Sequence, residues 1–149
     1  MPTQRIAGAT LNQTPIQWET NFQLIQAAIQ QAQNEKVAIL CLPELCITGY
    51  GCEDLFLSQW IYDKALDYLL KIKPLCQNMI VVIGLPMRFH EQSYNCACVI
   101  ANGEIVGITA KQFLALDGVH YEPRWFKAWK PEEVDFIEIE GKQYPFGDI

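Results

Sequence analysis

The sequence has 149 residues, which is enough for one domain with its own hydrophobic core. Half of the residues are apolar, 19% are charged, and the formal net charge is −6. This charge, with no basic cluster along the chain, excludes DNA or RNA as a partner, because binding to a phosphate backbone needs a surplus of lysine and arginine.

Membrane segments and targeting signals are the next classes that the sequence excludes. The longest strictly apolar run, residues 37–43, is far too short to span a bilayer. The first residues lack the basic region, apolar run and small-residue cleavage site of a signal peptide. We therefore predict a soluble, cytoplasmic protein without a membrane partner.

The first part of the chain alternates predicted strands with predicted helices. Apolar residues at helical spacing predict helices, and short apolar runs bounded by turn residues predict strands buried in a sheet. The predicted strands are 6–11, 37–42 and 79–85, and the predicted helices are 18–34 and 57–72. This alternation indicates parallel strands joined by right-handed crossovers.

The pattern changes in the later part of the chain. Asn102-Gly103, the strongest short hairpin signal, separates two strand-like runs, so the later strands are predicted to be antiparallel. These runs are 94–101 and 104–110, and alternation at 136–139 indicates another strand. A long polar and aromatic segment, 111–131, lies between them. The sequence therefore predicts an α/β fold with a mixed sheet.

The six cysteines are interpreted as free, buried thiols. Cys41, Cys46, Cys96 and Cys98 lie in or beside apolar runs, where a reduced cysteine behaves as a small hydrophobic residue. No Cys-x-x-Cys pair occurs, and the two histidines lie far from most of the thiols. We therefore expect no disulfide framework and no metal site.

Two charged residues directly follow predicted strands. Glu44 lies at the carboxyl end of a parallel strand, where ligands bind in open α/β folds, and a carboxylate there can act as a general base. Lys111 follows the second hairpin strand and could donate to a developing oxyanion. From position alone, a glutamate that caps a turn and a solvated lysine are the better interpretations.

Four separated segments carry motifs that occur together in one family. LPELCITGYGCEDLF contains Pro-Glu-Leu and Gly-Tyr-x-x-x-Asp, and GLPMRFHEQSYNCACVI contains Gly-Leu-Pro followed by Tyr-Asn-x-Ala/Cys. AKQFLALDGVHYEPRWFKAW carries a long aromatic motif after its lysine, and YPFGD follows it. Together they resemble the carbon-nitrogen hydrolases of the nitrilase superfamily. The third segment resembles the glutaminase domains of glutamine-dependent NAD synthetases.

Matched residue by residue, the resemblance implies a Cys-Glu-Lys triad. Glu44 would be its general base, and Lys111 would orient the site and stabilise the tetrahedral oxyanion. Glu122 would support the triad, and Tyr50 would line the glutamine pocket. The family's nucleophile lies on a strand beyond the Phe-Gly-Asp segment, and none of the six cysteines has that context. We therefore expect no nucleophile in this chain.

The resemblance leaves structural alternatives open for several of these residues. Tyr50 could simply fill the glycine-rich turn in which it lies. Glu122 could form a structural ion pair with Arg124 or with Lys111. Asp54 is predicted to be the N-cap of the helix that follows it.

The remaining aromatic and histidine residues have less specific interpretations. Trp125, Phe126 and Trp129 could form a ligand platform, although aromatic residues more often pack a long loop onto a sheet. His90 and His120 have no partner identifiable from the sequence and are interpreted as loop histidines.

The expected fold is about half of the four-layer αββα sandwich that the superfamily adopts. Residues 1–149 would be the N-terminal portion of one glutamine amidohydrolase domain, truncated before the nucleophile strand. The resemblance implies a parent enzyme that hydrolyses glutamine and supplies ammonia for ATP-dependent amidation of nicotinic acid adenine dinucleotide. No cofactor is expected in this domain, which lacks a Gly-rich phosphate loop. ATP and magnesium are expected in the parent's synthetase domain.

Two other classes of function fit the same residues. One is a stand-alone nitrilase-type amidase or carbamoylase, which would share Glu44 and Lys111. The other is a non-catalytic split or truncated domain that assembles with another chain. In every case the chain alone is expected to be inactive, and the resemblance implies a homo-oligomer.

Overall fold

The computed structural model describes residues 3–118 and 121–149. Seven strands and two α-helices lie within these residues. The strands are β1 (Arg5–Gly8), β2 (Val37–Cys41), β3 (Ile80–Phe89), β4 (Gln92–Ala101), β5 (Glu104–Ala110), β6 (Val134–Ile139) and β7 (Lys142–Gly147). The helices are α1 (Trp18–Asn34) and α2 (Gln59–Ile72), and 3₁₀ segments occur at Tyr50–Leu57, Lys73–Leu75 and Glu122–Arg124.

The strands form one mixed sheet in the order β1-β2-β3-β4-β5-β7-β6. β1, β2 and β3 are parallel, and α1 and α2 supply the crossovers between them. β3, β4 and β5 then pair antiparallel through two hairpins. Asn102 and Gly103 both adopt positive φ angles in the second hairpin, as the Asn-Gly signal predicts. These pairings confirm the predicted α/β class.

The position of β7 differs from the expectation for the later strands. β7 lies between β5 and β6, and it pairs parallel with β5, with Ile108 opposite Phe146. The prediction that the later strands are antiparallel is therefore wrong for this pair. After β5 the chain forms β6 at the outer edge of the sheet, leaving a place between the two strands. The β6–β7 hairpin then reverses the chain, so β7 fills this place and runs in the same direction as β5.

The two helices cover one face of the sheet. Ile25 of α1 and Leu69 of α2 are fully buried, and they belong to the same core cluster as Val81 of β3. Burying each such side chain stabilises the fold by about 1.5–3 kcal/mol. Ile80 and Val82, whose side chains alternate with Val81, are less buried, and Ile80 is 37% exposed. The opposite face of the sheet is therefore the more accessible one.

Most element boundaries lie close to those predicted from the sequence. α1 has the predicted bounds, because its buried positions Asn21, Ile25, Ile29 and Ala32 keep helical spacing. α2 begins slightly later than predicted, after Ser58, and β3 extends past residue 85 to Phe89. No helix in the described part of the chain is both long and apolar enough to cross a membrane.

Candidate active site

Glu44 and Lys111 meet at the edge of the sheet where β2 and β5 end. The Lys111 Nζ lies 2.6 Å from the Glu44 Oε1 and 2.8 Å from the Glu122 Oε2. β2 and β5 run in the same direction because two antiparallel steps separate β5 from β3. The structure therefore brings together three of the residues that the sequence identified as candidates.

Glu122 is the buried anion of this group, with a side chain only 1% exposed. Its Oε1 accepts a hydrogen bond from Asn95 Nδ2 at 2.7 Å, and its Oε2 accepts one from the Ala115 amide at 2.6 Å. Burial raises the pKa of Glu122, but the hydrogen bonds from Lys111, Ala115 and Asn95 outweigh it and lower the pKa overall. Glu122 is therefore ionised and fixed in place.

Lys111 is held by both its side chain and its main chain. Burial lowers the pKa of Lys111, but hydrogen bonds to Glu122 and Glu44 outweigh it, so the pKa is raised overall. Its amide donates to the Asn95 carbonyl at 2.8 Å, and its carbonyl accepts from the Trp129 amide at 3.0 Å. The loop after β5 therefore folds back, so that Trp129 contacts Lys111 at the end of the strand. The protonated ammonium group of Lys111 is held at this place.

The turn that carries Glu44 rests on β3. The Leu42 amide donates to the Val82 carbonyl at 2.9 Å, and the Ile47 amide donates to the Gly84 carbonyl at 3.3 Å. Leu45 adopts a φ of 49° within the turn, a conformation that non-glycine residues rarely adopt. The surrounding contacts therefore fix a turn that the local sequence alone does not favour.

Asn95 is the site residue that sequence reasoning missed. Its Nδ2 donates to Glu44 Oε1 at 2.6 Å as well as to Glu122, and the residue is only 3% exposed. The Tyr-Asn motif was part of the family resemblance, but no role was assigned to its amide. An asparagine inside an otherwise apolar strand was the available signal, because a buried amide requires hydrogen-bond partners.

Glu44 and Lys111 line a trough on the accessible face of the sheet. The trough has a volume of about 320 Å³, and its other lining residues are largely apolar, including Val82 and Ala97. The Glu44 side chain is 40% exposed. A carboxylate and an ammonium group beside an apolar floor can remove a proton and stabilise an oxyanion in the same small volume.

The six cysteines are all free, and five of them are buried. Burial raises the pKa of Cys46 and of Cys98 to about 12, and it also raises the pKa of Cys96. Such thiols form little thiolate at neutral pH and are poor nucleophiles. Cys41 is exposed and lines the trough, so the prediction that it is a buried thiol is wrong. Its side chain lies on the face that the helices leave uncovered.

Tyr50 lies beside both the acidic residues and a small apolar cluster. It begins a 3₁₀ segment and packs against the cluster that contains Leu45 and Phe56. Burial raises its pKa, and the negative charges of Glu122 and Glu44 raise it further. Its packing role is therefore observed, and its position near the carboxylates is compatible with a place beside the trough.

Asp54 does not cap α2 as predicted. Its carboxylate accepts two hydrogen bonds from Arg124, at 2.8 and 2.7 Å, and one from Trp125 Nε1 at 3.0 Å. The residue that precedes α2 is Ser58. Asp54 lies too far before the helix to reach its first amides, and it instead ties the 3₁₀ segment to the lysine loop. Arg124 consequently pairs with Asp54, not with Glu122.

The aromatic residues of the lysine loop pack the loop onto the sheet. Phe126 is 4% exposed, and its ring centroid lies 4.8 Å from that of Phe56. The Trp129 ring lies 5.1 Å from that of Phe146, and its Nε1 donates to the Glu133 carbonyl at 2.7 Å. These contacts support the interpretation that the aromatic residues pack the loop onto the sheet, and not the interpretation that they form a ligand platform.

The described histidine and acidic residues offer no evident metal site. No group of three or more histidine, cysteine or acidic side chains that could hold a metal ion occurs within residues 3–118 and 121–149. The exposed His90 lies 3.4 Å from Asp135. His120 lies outside the described residues, so its interpretation as a loop histidine stays a prediction.

A second groove lies between β1 and α1, away from Glu44 and Lys111. It has a volume of about 360 Å³ and is lined mainly by small apolar residues such as Ala7 and Ala28. Among the described residues that line it, Glu35 is the only acidic one, and none is a lysine, cysteine or histidine. This groove therefore lacks a pair of carboxylate and ammonium groups like that formed by Glu44 and Lys111.

The sequence and fold are similar to those of several known proteins. The sequence model of the carbon-nitrogen hydrolase family matches residues 5–147. A glutamine-dependent NAD(+) synthetase from Arabidopsis thaliana is 35% identical over 96% of this chain and 21% of its own length. Across the first curated relatives, this chain spans about a fifth of their length.

Two solved structures extend the comparison to the fold. A glutamine-dependent NAD(+) synthetase from Cytophaga hutchinsonii is 52% identical, with a TM-score of 0.97 over 99% of this chain and 26% of that chain. An amidase from Nesterenkonia sp. is 22% identical, with a TM-score of 0.72 over 94% of this chain and 53% of that chain. At that identity the amidase supports the shared fold alone. The comparisons confirm the resemblance and the predicted fold.

Proposed function

The chain belongs to the carbon-nitrogen hydrolase family, and on that premise we propose that it is part of the glutamine amidohydrolase domain of a glutamine-dependent NAD synthetase. The parent enzyme hydrolyses glutamine and passes the ammonia to a synthetase domain of the same chain. That domain amidates nicotinic acid adenine dinucleotide with ATP and magnesium. The parent is a cytoplasmic homo-oligomer in this proposal.

One observation carries the catalytic part of the proposal. The Lys111 ammonium group contacts Glu44 at 2.6 Å and Glu122 at 2.8 Å at the carboxyl ends of the strands. The two carboxylates have different surroundings, because Glu122 is buried and fully hydrogen-bonded whereas Glu44 is 40% exposed. This difference supports Glu44 as the proton acceptor and Glu122 as the anchor of Lys111. The similarity to glutamine-dependent NAD(+) synthetases supports the choice of substrate.

The proposed reaction begins when Glu44 accepts the proton of a cysteine thiol. The sulfur forms a bond to the side-chain amide carbon of glutamine, and the carbonyl electrons move onto oxygen beside Lys111. When the tetrahedral intermediate collapses, the carbon–nitrogen bond breaks and Glu44 returns its proton to the departing ammonia. Water then adds to the thioester with Glu44 again accepting a proton. The carbon–sulfur bond then breaks, glutamate leaves, and the thiolate recovers the proton from Glu44 to regenerate the thiol.

The nucleophilic thiol in this proposal comes from a part of the parent outside these residues. Five of the six cysteines are buried. The Sγ of the exposed Cys41 contacts the Leu42 carbonyl at 3.8 Å, so its observed hydrogen bond goes to the main chain. Tyr50 lines the glutamine pocket in this proposal, which its position near both carboxylates supports.

The test uses the full-length parent with Glu44→Gln or Lys111→Ala. Loss of a general base costs about 10²–10⁴-fold in rate, and loss of an oxyanion donor costs about 10²–10³-fold. NAD formation from glutamine should fall by these factors, while NAD formation from ammonium salts should stay near the wild-type rate. Glu91→Gln and Lys130→Ala, at exposed positions, are matched controls that should leave both rates unchanged.

Each alternative gives a different result in the same assay. Equal loss with both nitrogen sources would make Glu44 and Lys111 structural residues. A wild-type parent that hydrolyses simple amides but forms no NAD from either nitrogen source would be a stand-alone amidase. If Cys41→Ser abolished glutamine hydrolysis, the nucleophile would lie in this chain after all.

A further inference from the structure

We propose that Asn95 is a positioning residue for the Glu44 carboxylate, and that it makes Glu44 Oε2 the atom that exchanges a proton with the nucleophilic thiol. This inference rests on the proposed function, because it assigns a role within the same reaction. Asn95 would act through Glu44, by orienting its carboxylate. Four properties of its surroundings carry the argument.

The first property is the direction of its amide. Asn95 Nδ2 lies 2.6 Å from Glu44 Oε1 and 2.7 Å from Glu122 Oε1. An amide nitrogen has two protons and can therefore donate one to each carboxylate. The reversed amide would direct its oxygen at two anions, which is repulsive. The orientation with the nitrogen toward the carboxylates thus follows from chemistry as well as from geometry.

The second property is the unequal use of the two Glu44 oxygens. Oε1 accepts from both Lys111 Nζ and Asn95 Nδ2, each at 2.6 Å. These two bonds occupy the lone pairs of Oε1. Within residues 3–118 and 121–149, both observed side-chain hydrogen bonds to Glu44 go to Oε1 and none goes to Oε2. The lone pairs of Oε2 are therefore available for a proton from a thiol in the trough.

The third property is the charge of the cluster. Glu44 and Glu122 share the single ammonium group of Lys111, so the three groups carry a net negative charge when both carboxylates are ionised. A neutral double donor reduces the repulsion between the two anions without adding a cation. A second lysine in that place would neutralise the cluster and weaken Glu44 as a base. An asparagine reduces the repulsion between the carboxylates through its two donors, and because it is neutral it leaves Glu44 a stronger base.

The fourth property is the rigidity of Asn95 itself. It lies on β4, a central strand that pairs with β3 on one side and with β5 on the other. Its carbonyl accepts a hydrogen bond from the Lys111 amide at 2.8 Å. One residue thus fixes the main chain at Lys111 and the side chains of both glutamates. Being only 3% exposed, it has little freedom to move away from them.

The test compares Asn95→Leu and Asn95→Asp in the full-length parent. The first variant removes both donors at similar volume, and the second keeps the shape but replaces the donor with an acceptor. We expect kcat for glutamine hydrolysis to fall about 10- to 100-fold, because a hydrogen bond to a charged group is lost. KM should change little. Gln92→Leu, which also replaces a side-chain amide with leucine but at an exposed position of β4, is the matched control.

The pH profile separates positioning from general damage to the fold. Without the donor, the cluster of Glu44, Glu122 and Lys111 loses hydrogen bonds that favour its charged state, so the acid limb of the kcat/KM profile should shift to higher pH. The shift should be larger in Asn95→Asp than in Asn95→Leu. An activity loss that is equal at every pH, with the limb unmoved, would overturn the inference.

A second measurement does not depend on turnover. Carbon-13 NMR of labelled glutamate carboxyl groups should show the pKa of Glu122 moving up toward its usual range in both variants, and staying low in Gln92→Leu. An unmoved Glu122 pKa in folded variants would also overturn the inference. If Asn95→Leu fails to fold, the isosteric Asn95→Asp decides by the same two measurements. If the wild-type parent hydrolyses no glutamine while the NMR shift occurs, the proposed function fails but the positioning of the carboxylates by Asn95 stands.

Discussion

Gly84 lies so close to the main chain of Glu44 that a Cβ at position 84 would come within 2.8 Å of the Glu44 carbonyl carbon. The same Cβ would also collide with the Pro43 carbonyl oxygen and the Leu45 amide nitrogen. These are main-chain atoms, so no side-chain rotation relieves the overlap. The absence of a side chain on β3 is therefore what lets the Glu44 turn rest directly on the sheet.

Gly84→Ala should displace the Glu44 turn and weaken both stability and glutamine hydrolysis. Forcing extra volume into a packed site typically costs about 1–3 kcal/mol in the free energy of unfolding. Glutamine hydrolysis by the parent should fall as well, because small displacements of a catalytic group reduce the rate strongly. Urea unfolding of the chain and a glutaminase assay of the parent measure the two effects.

Gly8→Ala is the matched control for this change. A Cβ at Gly8 of β1 would meet no atom within 4 Å, and the residue has no positive φ. We expect its unfolding free energy to stay within about 0.5 kcal/mol of the wild type. Equal losses in both variants would show that the contact between Gly84 and Glu44 has no special importance.

Asp54→Asn should loosen the lysine loop. The change weakens the paired hydrogen bonds between Asp54 and Arg124, which join two exposed side chains far apart in the chain. Limited trypsin digestion should therefore cleave after Arg124 faster in the variant. Added salt should accelerate cleavage of the wild type, since salt screens exposed ion pairs.

The exposed pair of Lys130 and Glu133 provides the comparison for this experiment. It links residues only three positions apart, so Glu133→Gln should leave cleavage after Arg124 unchanged. If Asp54→Asn digests no faster than Glu133→Gln, the pair of Asp54 and Arg124 does not restrain the loop.

Glu122→Gln should remove a pH-dependent part of the stability. The pKa of Glu122 is lowered in the folded state from its ordinary 4.5, because hydrogen bonds from Lys111, Ala115 and Asn95 outweigh its burial. A carboxyl with a lowered folded pKa stabilises the fold fully above its unfolded pKa, and this contribution is lost as the pH falls through the folded value. The stability gap between wild type and variant should therefore shrink as the pH falls below 4.5.

Urea unfolding at a series of pH values measures this gap. Glu138→Gln, at an exposed position of β6, serves as the control and should give a small gap. A gap for Glu122→Gln that stays constant across the acid range would contradict an ionised Glu122 with a lowered pKa.

Cys41 should be the one thiol that reacts quickly in the folded chain. It is exposed, whereas the other five cysteines are buried, and burial raises the pKa of Cys46 and Cys76 to about 12. A thiol-specific disulfide reagent should therefore label one group rapidly and the rest only on unfolding. Cys41→Ser should abolish the rapid phase. A rapid phase that persists in this variant would mean that a buried thiol is accessible.

Much of the fold follows from local patterns in the sequence. The apolar spacing predicts α1 with its observed bounds, Trp18–Asn34, and the uniformly apolar runs predict the parallel strands β2 and β3. Asn102-Gly103 predicts the hairpin between β4 and β5. Each of these features depends on residues that are neighbours in the chain. The spacing of the apolar residues and the choice of turn residues therefore predict it without the tertiary structure.

The candidate site was predictable in part. Glu44, Lys111 and Glu122 were identified from motifs, and the structure places them within hydrogen-bond distance. The link from Asn95 to both carboxylates was not predicted, because an asparagine in a strand gives no indication of which distant groups its amide will meet.

The partners of single side chains were decided only by the tertiary structure. Asp54 binds Arg124, 70 positions away, where the local pattern predicted a helix cap. Cys41 faces the open side of the sheet although its apolar neighbours predicted burial, and β7 returns parallel to β5 after a long loop. Sequence determines local conformation through the spacing of apolar and turn residues over a few positions. Which distant polar group reaches a side chain, and which face of a strand is covered, depends on how the completed elements pack.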